Sequence, residues 1–220
     1  MKIKVIEAIE KEKIIVIVRG VEKDKLMPLV KAMYNGGIRL LEITFDASGK
    51  ICDEETAEYI KAISERFQDR MYIGAGTVLS EKQVELVKNA GGRFVISPNT
   101  DRNVIEKTNE LGMVSMPGAL TPSEIQAAHL YGADFVKIFP ASNFGPQYIK
   151  AVRAPLSHIK FTAVGGINEE NIHDYLKVGV SGFGIGTNIT NKKMISEDDF
   201  DGITKLAQKY VKTVKENDNE

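Results

Sequence analysis

The 220-residue chain has no tryptophan, only one cysteine and no long hydrophobic run. Because Cys52 stands alone, an internal disulfide is excluded, which is typical of proteins from a reducing compartment. We expect Cys52 to be an inert packing residue. No apolar run approaches the roughly 18–20 residues that a membrane-spanning helix needs, and the first residues lack the apolar core of a signal peptide. The lone cysteine, the lack of a membrane-spanning run and the lack of a signal-peptide core favour a cytoplasmic protein.

The chain also has no excess of either charge and only three histidines. It carries 29 Lys and Arg against 30 Asp and Glu, so the basic surplus of nucleic-acid and membrane-surface proteins is missing. His129, His158 and His173 fall within helical segments or just before a strand, and no His, Asp or Glu set has metal-ligand spacing. Nucleophile-elbow, P-loop and dinucleotide motifs are missing too. We predict surface histidines, no metal, no cofactor, and neither a nucleic-acid nor a membrane partner.

What the chain does have is a regular alternation of two kinds of segment. Eight short, β-branched runs are separated by stretches with helical periodicity, such as 24–35, 81–90 and 121–131. Near-continuous apolar runs indicate strands covered on both faces, hence a parallel sheet. Eight such units in about 170 residues favour a closed (β/α)8 TIM barrel over an open doubly wound sheet. The predicted strands are 14–20, 40–46, 72–77, 94–98, 114–119, 135–141, 161–166 and 182–187.

Cap signals and the two ends of the chain complete the predicted fold. Glycines tolerant of a positive φ follow most helical segments, and N-cap candidates precede them. The N-cap candidates are Ser80, Thr121-Pro122 and Asn168-Glu169-Glu170. The first residues predict a short extra helix with Ile3, Ile6 and Ile9 on one side. We predict a single barrel domain over 1–214 and a disordered acidic tail over 215–220. The long connections 46–54 and 188–199 would lie at the barrel mouth, as lids or as simple surface loops.

Two charged residues interrupt predicted strands that should be buried. Lys137 lies in FVKIFP and Glu42 in LLEITF, and a buried unpaired charge costs several kcal/mol. The two could form a structural ion pair, or the lysine could extend its amine to water. We favour a chemical role instead, because burial makes an amine easier to deprotonate and a carboxylate harder to ionise. The two predicted strands lie on opposite sides of the barrel, so both side chains can face one substrate.

Three predicted strands end in glycine-rich segments suited to anions. These segments are Gly74–Thr77, Gly165–Asn168 and Gly184–Asn188, where missing side chains let a ligand approach backbone N–H groups. The last two follow strands 7 and 8, the recurrent phosphate position of this barrel class. Arg19 ends strand 1 at the same rim, where it suits either a substrate anion or a salt bridge to Glu42.

A set of segments in a fixed order resembles one known family over nearly the whole chain. The segments are LEITFD, IGAGTVL, VISPN, MPGALTPSE, FVKIFPA, FGPQYIKA, VGGI and GIGTN. They resemble the 2-keto-3-deoxy-6-phosphogluconate / 4-hydroxy-2-oxoglutarate aldolase family. The resemblance implies a class I aldolase on a (β/α)8 barrel, usually a homotrimer, that acts on a phosphorylated 2-keto acid without metal or cofactor. It places the Schiff-base lysine at Lys137 and the catalytic glutamate at Glu42.

The same resemblance supplies a set of expected substrate contacts. Thr77 would help to hold the pyruvate carboxylate, and the backbone at Gly165, Gly166, Gly186 and Thr187 would bind the phosphate. The predicted substrate-binding residues are Arg19, Thr77, Pro98, Phe139, Gly165, Gly166, Gly186, Thr187 and Asn188.

The chain departs from the family pattern at two positions. Asp46 stands where some members carry an arginine, and Val164 stands where gluconate-type members often have threonine. VGGI with KIFP is similar to the galactonate branch, so the C4 stereochemistry of the substrate stays open. Two alternatives differ in class: an isomerase with Glu42 as base and Lys137 acting only electrostatically, and a non-enzymatic sensor of a sugar acid phosphate.

Overall fold

The computed structural model describes residues 1–217, which fold into parallel strands alternating with helices. The strands are β1 Ile14–Val18, β2 Leu40–Thr44, β3 Tyr72–Gly76, β4 Phe94–Ile96, β5 Val114–Met116, β6 Gly118–Ala119, β7 Val136–Ile138, β8 Phe161–Val164 and β9 Gly182–Ile185. The helices are α1 Lys2–Glu12, α2 Lys23–Asn35, α3 Asp53–Phe67, α4 Glu81–Asn89, α5 Arg102–Glu110, α6 Pro122–Leu130, α7 Gly145–Arg153, α8 Ile172–Lys177, α9 Lys192–Ser196 and α10 Phe200–Asn217. Short 3-10 turns cover Gln68–Arg70 and Ala141–Asn143.

The strands form an eight-position barrel in which one position is split. The order in the sheet is β5-β4-β3-β2-β1-β9-β8-β7-β6, and β5 and β6 are the two halves of the predicted fifth strand. Pro117 separates them because proline has no N–H to give to a ladder. Its carbonyl still accepts a hydrogen bond from the Lys137 backbone N at 2.8 Å, so the sheet closes through this residue. The (β/α)8 prediction is confirmed.

The N-terminal helix closes one end of the barrel. Val5 and Ile9 of α1 are fully buried and pack on the apolar barrel interior, which includes Ile15, Leu40 and Phe94. The prediction that Ile3 shares the buried side is wrong, because its side chain is 71% exposed. Since α1 blocks the N-terminal ends of the strands, the barrel is accessible only from the carboxyl ends.

Two of the three predicted helix starts are confirmed. Ser80 accepts from the Gln83 N–H, and Thr121 forms a reciprocal capping box with Glu124. The third was placed too early, because α8 begins at Ile172. Asn168 instead accepts backbone hydrogen bonds within the turn that precedes the helix.

Two further sequence predictions need correction. Cys52 is exposed immediately before α3 and so is not a packing residue. Helix α10 continues to Asn217, so the disordered tail does not begin at 215, and 218–220 lie outside the described residues. Within the described chain, no helix is both long and apolar enough to cross a bilayer.

Candidate active site

The centre of the site is a buried carboxylate facing a buried amine across the barrel. Glu42 on β2 is 3% exposed and Lys137 on β7 is 8% exposed. Four steps through the sheet separate β2 from β7 in either direction, so they are opposite strands, as predicted. Gly76 makes room for the carboxylate, because a Cβ at this position would collide with Glu42 Oε1. The glycine of the adjacent strand therefore fixes where the acid lies.

Burial shifts both groups away from their ordinary ionisation. It lowers the pKa of Lys137 from 10.5, with Glu42 opposing the shift and Arg19 adding to it. Burial likewise raises the pKa of Glu42 from 4.5 against the opposing charges of Lys137 and Arg19. No salt bridge within 4.0 Å joins the two in the described part of the chain. The arrangement thus favours a nucleophilic neutral amine and a carboxyl group that exchanges its proton at a higher pH than an exposed glutamate does.

Phe139 forms the wall beside the amine. Lys137 Nζ lies 4.8 Å from the centroid of this ring, which is 42% exposed. The same ring lies 3.5 Å from the point that a Cβ on Gly165 would occupy. Phe139 therefore spans the distance from the amine to the glycine loop after β8.

Arg19 binds a neighbouring hydroxyl rather than the Glu42 carboxylate. Its Nη2 donates to Thr77 Oγ1 at 3.2 Å, and among the described residues it forms no ion pair with Glu42. Thr77 has a φ of 57°, a left-handed conformation that costs a non-glycine residue roughly 1–2 kcal/mol. This conformation places the threonine hydroxyl beside the guanidinium, and together they form a small polar site on the rim.

Asp46 does not take the place of the missing arginine. Its carboxylate accepts hydrogen bonds from the Ser48 hydroxyl and from the backbone N–H groups of Ser48, Lys50 and Ile51. These bonds, first of all that from the Ser48 hydroxyl, lower the pKa of Asp46 to about 2. Its role is to order the loop after β2.

The glycine loops after β8 and β9 differ in how much room they leave. Gly165 and Gly166 have φ values of 96° and 72°, and a Cβ on Gly166 would collide with the Ser142 hydroxyl. At Gly186 the nearest atom to such a Cβ is 3.9 Å away, so its backbone is open to a ligand. Asn188 Nδ2 donates to the Ile167 carbonyl at 2.9 Å, which ties the two loops together.

Two cavities open at the mouth on either side of Arg19 and Gly20. One, of about 520 Å³, also contacts Gly186 and Thr187. The other, of about 500 Å³, contacts Thr44, Thr77 and the loop after β2. Pro98 is exposed at the end of β4, where its carbonyl packs against Gly118.

The histidines lie outside this mouth. The rings of His129 and His158 contact each other edge-to-face with centroids 4.8 Å apart, and His173 is on α8. Residues 1–217 contain no group of three or more His, Cys, Asp or Glu side chains arranged to hold a metal ion.

Sequence reasoning missed the role of Gly76 and the Arg19–Thr77 contact. The sequence holds one signal for the role of Gly76. On the neighbouring strand this glycine is in register with Thr44, which lies two residues after Glu42. The Arg19–Thr77 contact joins the ends of β1 and β3, which are not adjacent strands.

Comparison with known proteins agrees with this site. Residues 5–206 match the family model for KDPG and KHG aldolase. The chain is 37% identical over 186 residues to a probable 2-dehydro-3-deoxy-6-phosphogalactonate aldolase of Rhizobium meliloti, covering 84% of this chain and 85% of that protein. It is 34% identical over 190 residues to the KHG/KDPG aldolase of Escherichia coli, covering 86% and 85%.

Solved structures show the same likeness. A native KDPGal structure superposes with a TM-score of 0.84 at 33% identity, covering 94% of this chain and 96% of that one. A KDPG aldolase from Legionella pneumophila, with pyruvate captured as a covalent carbinolamine, gives 0.83 at 28% identity, covering 92% and 96%. Fold and site therefore define a (β/α)8-barrel lyase of the aldolase class. The chain belongs to the KDPG and KHG aldolase family.

Proposed function

We propose that this chain is a metal-independent class I aldolase that cleaves 2-dehydro-3-deoxy-6-phosphogluconate into pyruvate and glyceraldehyde 3-phosphate. Lys137 carries this proposal: it is a buried amine with a lowered pKa, opposite a buried acid. By the same chemistry 4-hydroxy-2-oxoglutarate would yield pyruvate and glyoxylate. The covalent pyruvate adduct of the Legionella relative supports the chemistry.

The reaction follows from the two central groups. The neutral Lys137 amine adds to the C2 ketone, and loss of water gives a protonated imine. Glu42, directly or through water, removes the C4 hydroxyl proton as the C3–C4 bond breaks. The bonding electrons pass into the imine, which becomes an enamine, and the aldehyde leaves. Protonation at C3 and hydrolysis then release pyruvate and return the lysine, so the water lost in the first step is regained.

The surrounding residues position the substrate. Arg19 and Thr77, already in contact, bind the carboxylate of the pyruvate half. Phe139 and Pro98 form side walls of the barrel mouth. The hydrogen bond from Asn188 to the Ile167 carbonyl holds the two glycine loops after β8 and β9 in place. The backbone of Gly165, Gly166, Gly186 and Thr187 binds the phosphate.

The galactonate C4 epimer is the second candidate substrate, because of Val164. A Cβ on Gly184 would lie 2.8 Å from Val164 Cγ2 and 3.2 Å from Ile17 Cδ1, which places an apolar side chain in the barrel interior. Because an apolar site discriminates weakly between hydroxyl configurations, we expect both epimers to be cleaved with kcat/KM values within roughly 100-fold, about 2.7 kcal/mol. Val164→Thr should change the ratio of the two values. A wild-type preference well beyond 100-fold, or an unchanged ratio in the variant, would contradict this role.

Borohydride trapping tests the proposed chemistry directly. Reduction in the presence of pyruvate should link pyruvate to the peptide that contains Lys137, and peptide mass mapping locates the linkage. Pyruvate release that is insensitive to chelators separates the aldolase from a phosphate-binding isomerase. A protein that binds the substrate without releasing pyruvate would instead be a sensor. By family resemblance we propose a homotrimer located in the cytoplasm.

A further inference from the structure

The 520 Å³ cavity beside Gly186 and Thr187, here called the α9 cavity, has a cationic lining. Its charged side chains are Arg19, Lys25, Lys192 and Glu22, three cations against one carboxylate. Ile17 and Ile195 contribute apolar lining. Because Ile17 belongs to β1 and Gly186 follows β9, the cavity is continuous with the barrel mouth. It suits an anionic group attached to an organic chain that extends from the barrel.

Two of the three cations are already engaged. Arg19 donates to Thr77, and Lys25 Nζ lies 2.6 Å from both carboxylate oxygens of Asp198. Lys192 makes no ion pair or side-chain hydrogen bond within the described residues. It is therefore the cation of this lining that has no partner among the described residues.

Helix α9 holds Lys192 at the cavity, and two of the first backbone donors of the helix are already used by its cap. Asn191 Oδ1 accepts from the N–H groups of Lys193 and Met194 at 3.0 and 3.2 Å. Ile195 is buried, and the Lys25–Asp198 pair fixes the chain just after the helix. The Lys192 side chain is thus the charged group that α9 brings to the cavity.

We propose that Lys192 binds the phosphate of the substrate in the α9 cavity, together with the open backbone at Gly186 and Thr187. This inference rests on the proposed function, because it assigns the orientation of the same substrate. The phosphate end lies at the glycine loop after β9, with Lys192 reaching it from the α9 cavity, and the carboxylate end lies at Arg19 and Thr77. Lys192 is thus a specificity-determining residue for phosphorylated over unphosphorylated substrates.

The other mouth cavity is the competing position for the phosphate. It contains Lys50, but also the Asp46 carboxylate, which is ionised at neutral pH because its pKa is about 2. It also lacks the open glycine backbone at Gly186. Two cations, Arg19 and Lys50, face one carboxylate there, whereas three cations face one carboxylate in the α9 cavity, so this cavity is the poorer site for a phosphate.

The test compares Lys192→Gln with two matched lysine variants. Lys193→Gln removes a charge from the same helix outside the cavity, and Lys50→Gln removes one from the competing cavity. For the 6-phosphorylated substrate we expect Lys192→Gln to raise KM roughly three- to tenfold, as for loss of a partly exposed charged hydrogen bond, with kcat within about twofold. Neither control should change KM, and KM for unphosphorylated 2-keto-3-deoxygluconate should be the same in all four proteins.

Two outcomes overturn the proposal. In the first, KM rises equally for both substrates, or for neither, in Lys192→Gln. In the second, the phosphate-dependent rise appears in Lys50→Gln instead. Borohydride trapping with pyruvate is run on all four proteins, since this reaction involves no phosphate. If trapping fails in the wild type, the proposed function fails, and calorimetric titration with glycerol 3-phosphate still reports whether Lys192→Gln weakens phosphate binding.

Discussion

At the scale of single residues, the environment of Lys137 sets its chemistry. An exposed lysine is almost fully protonated at neutral pH, whereas burial lowers the pKa of this one. Glu42 opposes this shift in the pKa of Lys137, since each group stabilises the charged form of the other. Removing either should therefore affect both chemistry and ionisation.

We predict that Lys137→Met folds but loses lyase activity by several orders of magnitude. The side chain is 8% exposed, so the Met variant removes the desolvation cost of a buried amine, and the Glu42 carboxyl, having lost the opposing cation, can take up a proton and stay uncharged. The Met variant should therefore have an equal or higher Tm than the wild type, measured by thermal unfolding. Lys137→Arg is the matched charged variant and should be equally inactive, because guanidinium does not form an imine. More than a few per cent residual activity in either would exclude the Schiff base.

Glu42→Gln should lower kcat roughly 10²–10⁴-fold, the range for loss of a general acid–base group. In the wild type, activity should fall as the pH drops through the raised pKa of Glu42, because the protonated acid no longer accepts a proton. Activity should rise as Lys137 loses its proton, at a pH below 10.5. The two groups interact, so the profile reports pKa values of the pair. The limb due to Glu42 should disappear from the kcat–pH profile of the Gln variant.

A loss confined to KM would mean that Glu42 only binds substrate. Pyruvate trapping in the Gln variant is the control, since imine formation requires Lys137 and not the C4 proton transfer. Trapping that fails together with turnover would show that Glu42 acts on the lysine rather than on the substrate.

At the scale of elements, sequence pattern predicted the strands well and their ends less well. Each predicted strand exists, but most stop one to three residues early, as β1 does at Val18 and β9 at Ile185. The glycine-rich pattern continues past these points into loops at the mouth, where Gly20 and Gly186 follow the strands without pairing. The division of the fifth strand at Pro117 follows from the missing N–H, although a proline alone does not reveal that pairing resumes after it.

The site divides in the same way. Lys137 and Glu42 could be predicted because a charged residue within an apolar strand can be recognised in the sequence itself. The sequence could not predict that Arg19 contacts Thr77 or that Lys192 lacks a partner among the described residues. Each of these depends on which loops meet across the barrel mouth.

Helix α1 offers a prediction with an internal control. Ile9 is fully buried at the closed end of the barrel, whereas Ile3 in the same helix is 71% exposed. We predict that Ile9→Ala lowers the free energy of unfolding by about 2–5 kcal/mol, the usual loss for a buried isoleucine. Ile3→Ala should change it by less than about 0.5 kcal/mol. Denaturant titration measures both, and equal effects would show that α1 does not plug the barrel.

At the scale of the whole molecule, one chain forms the barrel and carries both groups of the proposed catalytic pair. Its accessible surface is 10348 Å², close to the roughly 10,000 Å² expected for a monomeric protein of 24.3 kDa. The proposed catalytic pair, the carboxylate contacts and the α9 cavity all lie on this one chain. One chain thus buries the barrel core and supplies both groups of the proposed catalytic pair.

This argument predicts how activity depends on assembly. Sedimentation at micromolar concentration should show the homotrimer, of about 73 kDa or three times 24.3 kDa, whereas dilution towards nanomolar concentration should favour dissociation by mass action. Because each proposed site is made within one chain, kcat per chain should stay constant across the dilution series, with sedimentation recording the fraction assembled. A kcat that fell in step with that fraction would contradict the single-chain site, since a neighbouring subunit would then have to complete or rigidify the barrel mouth.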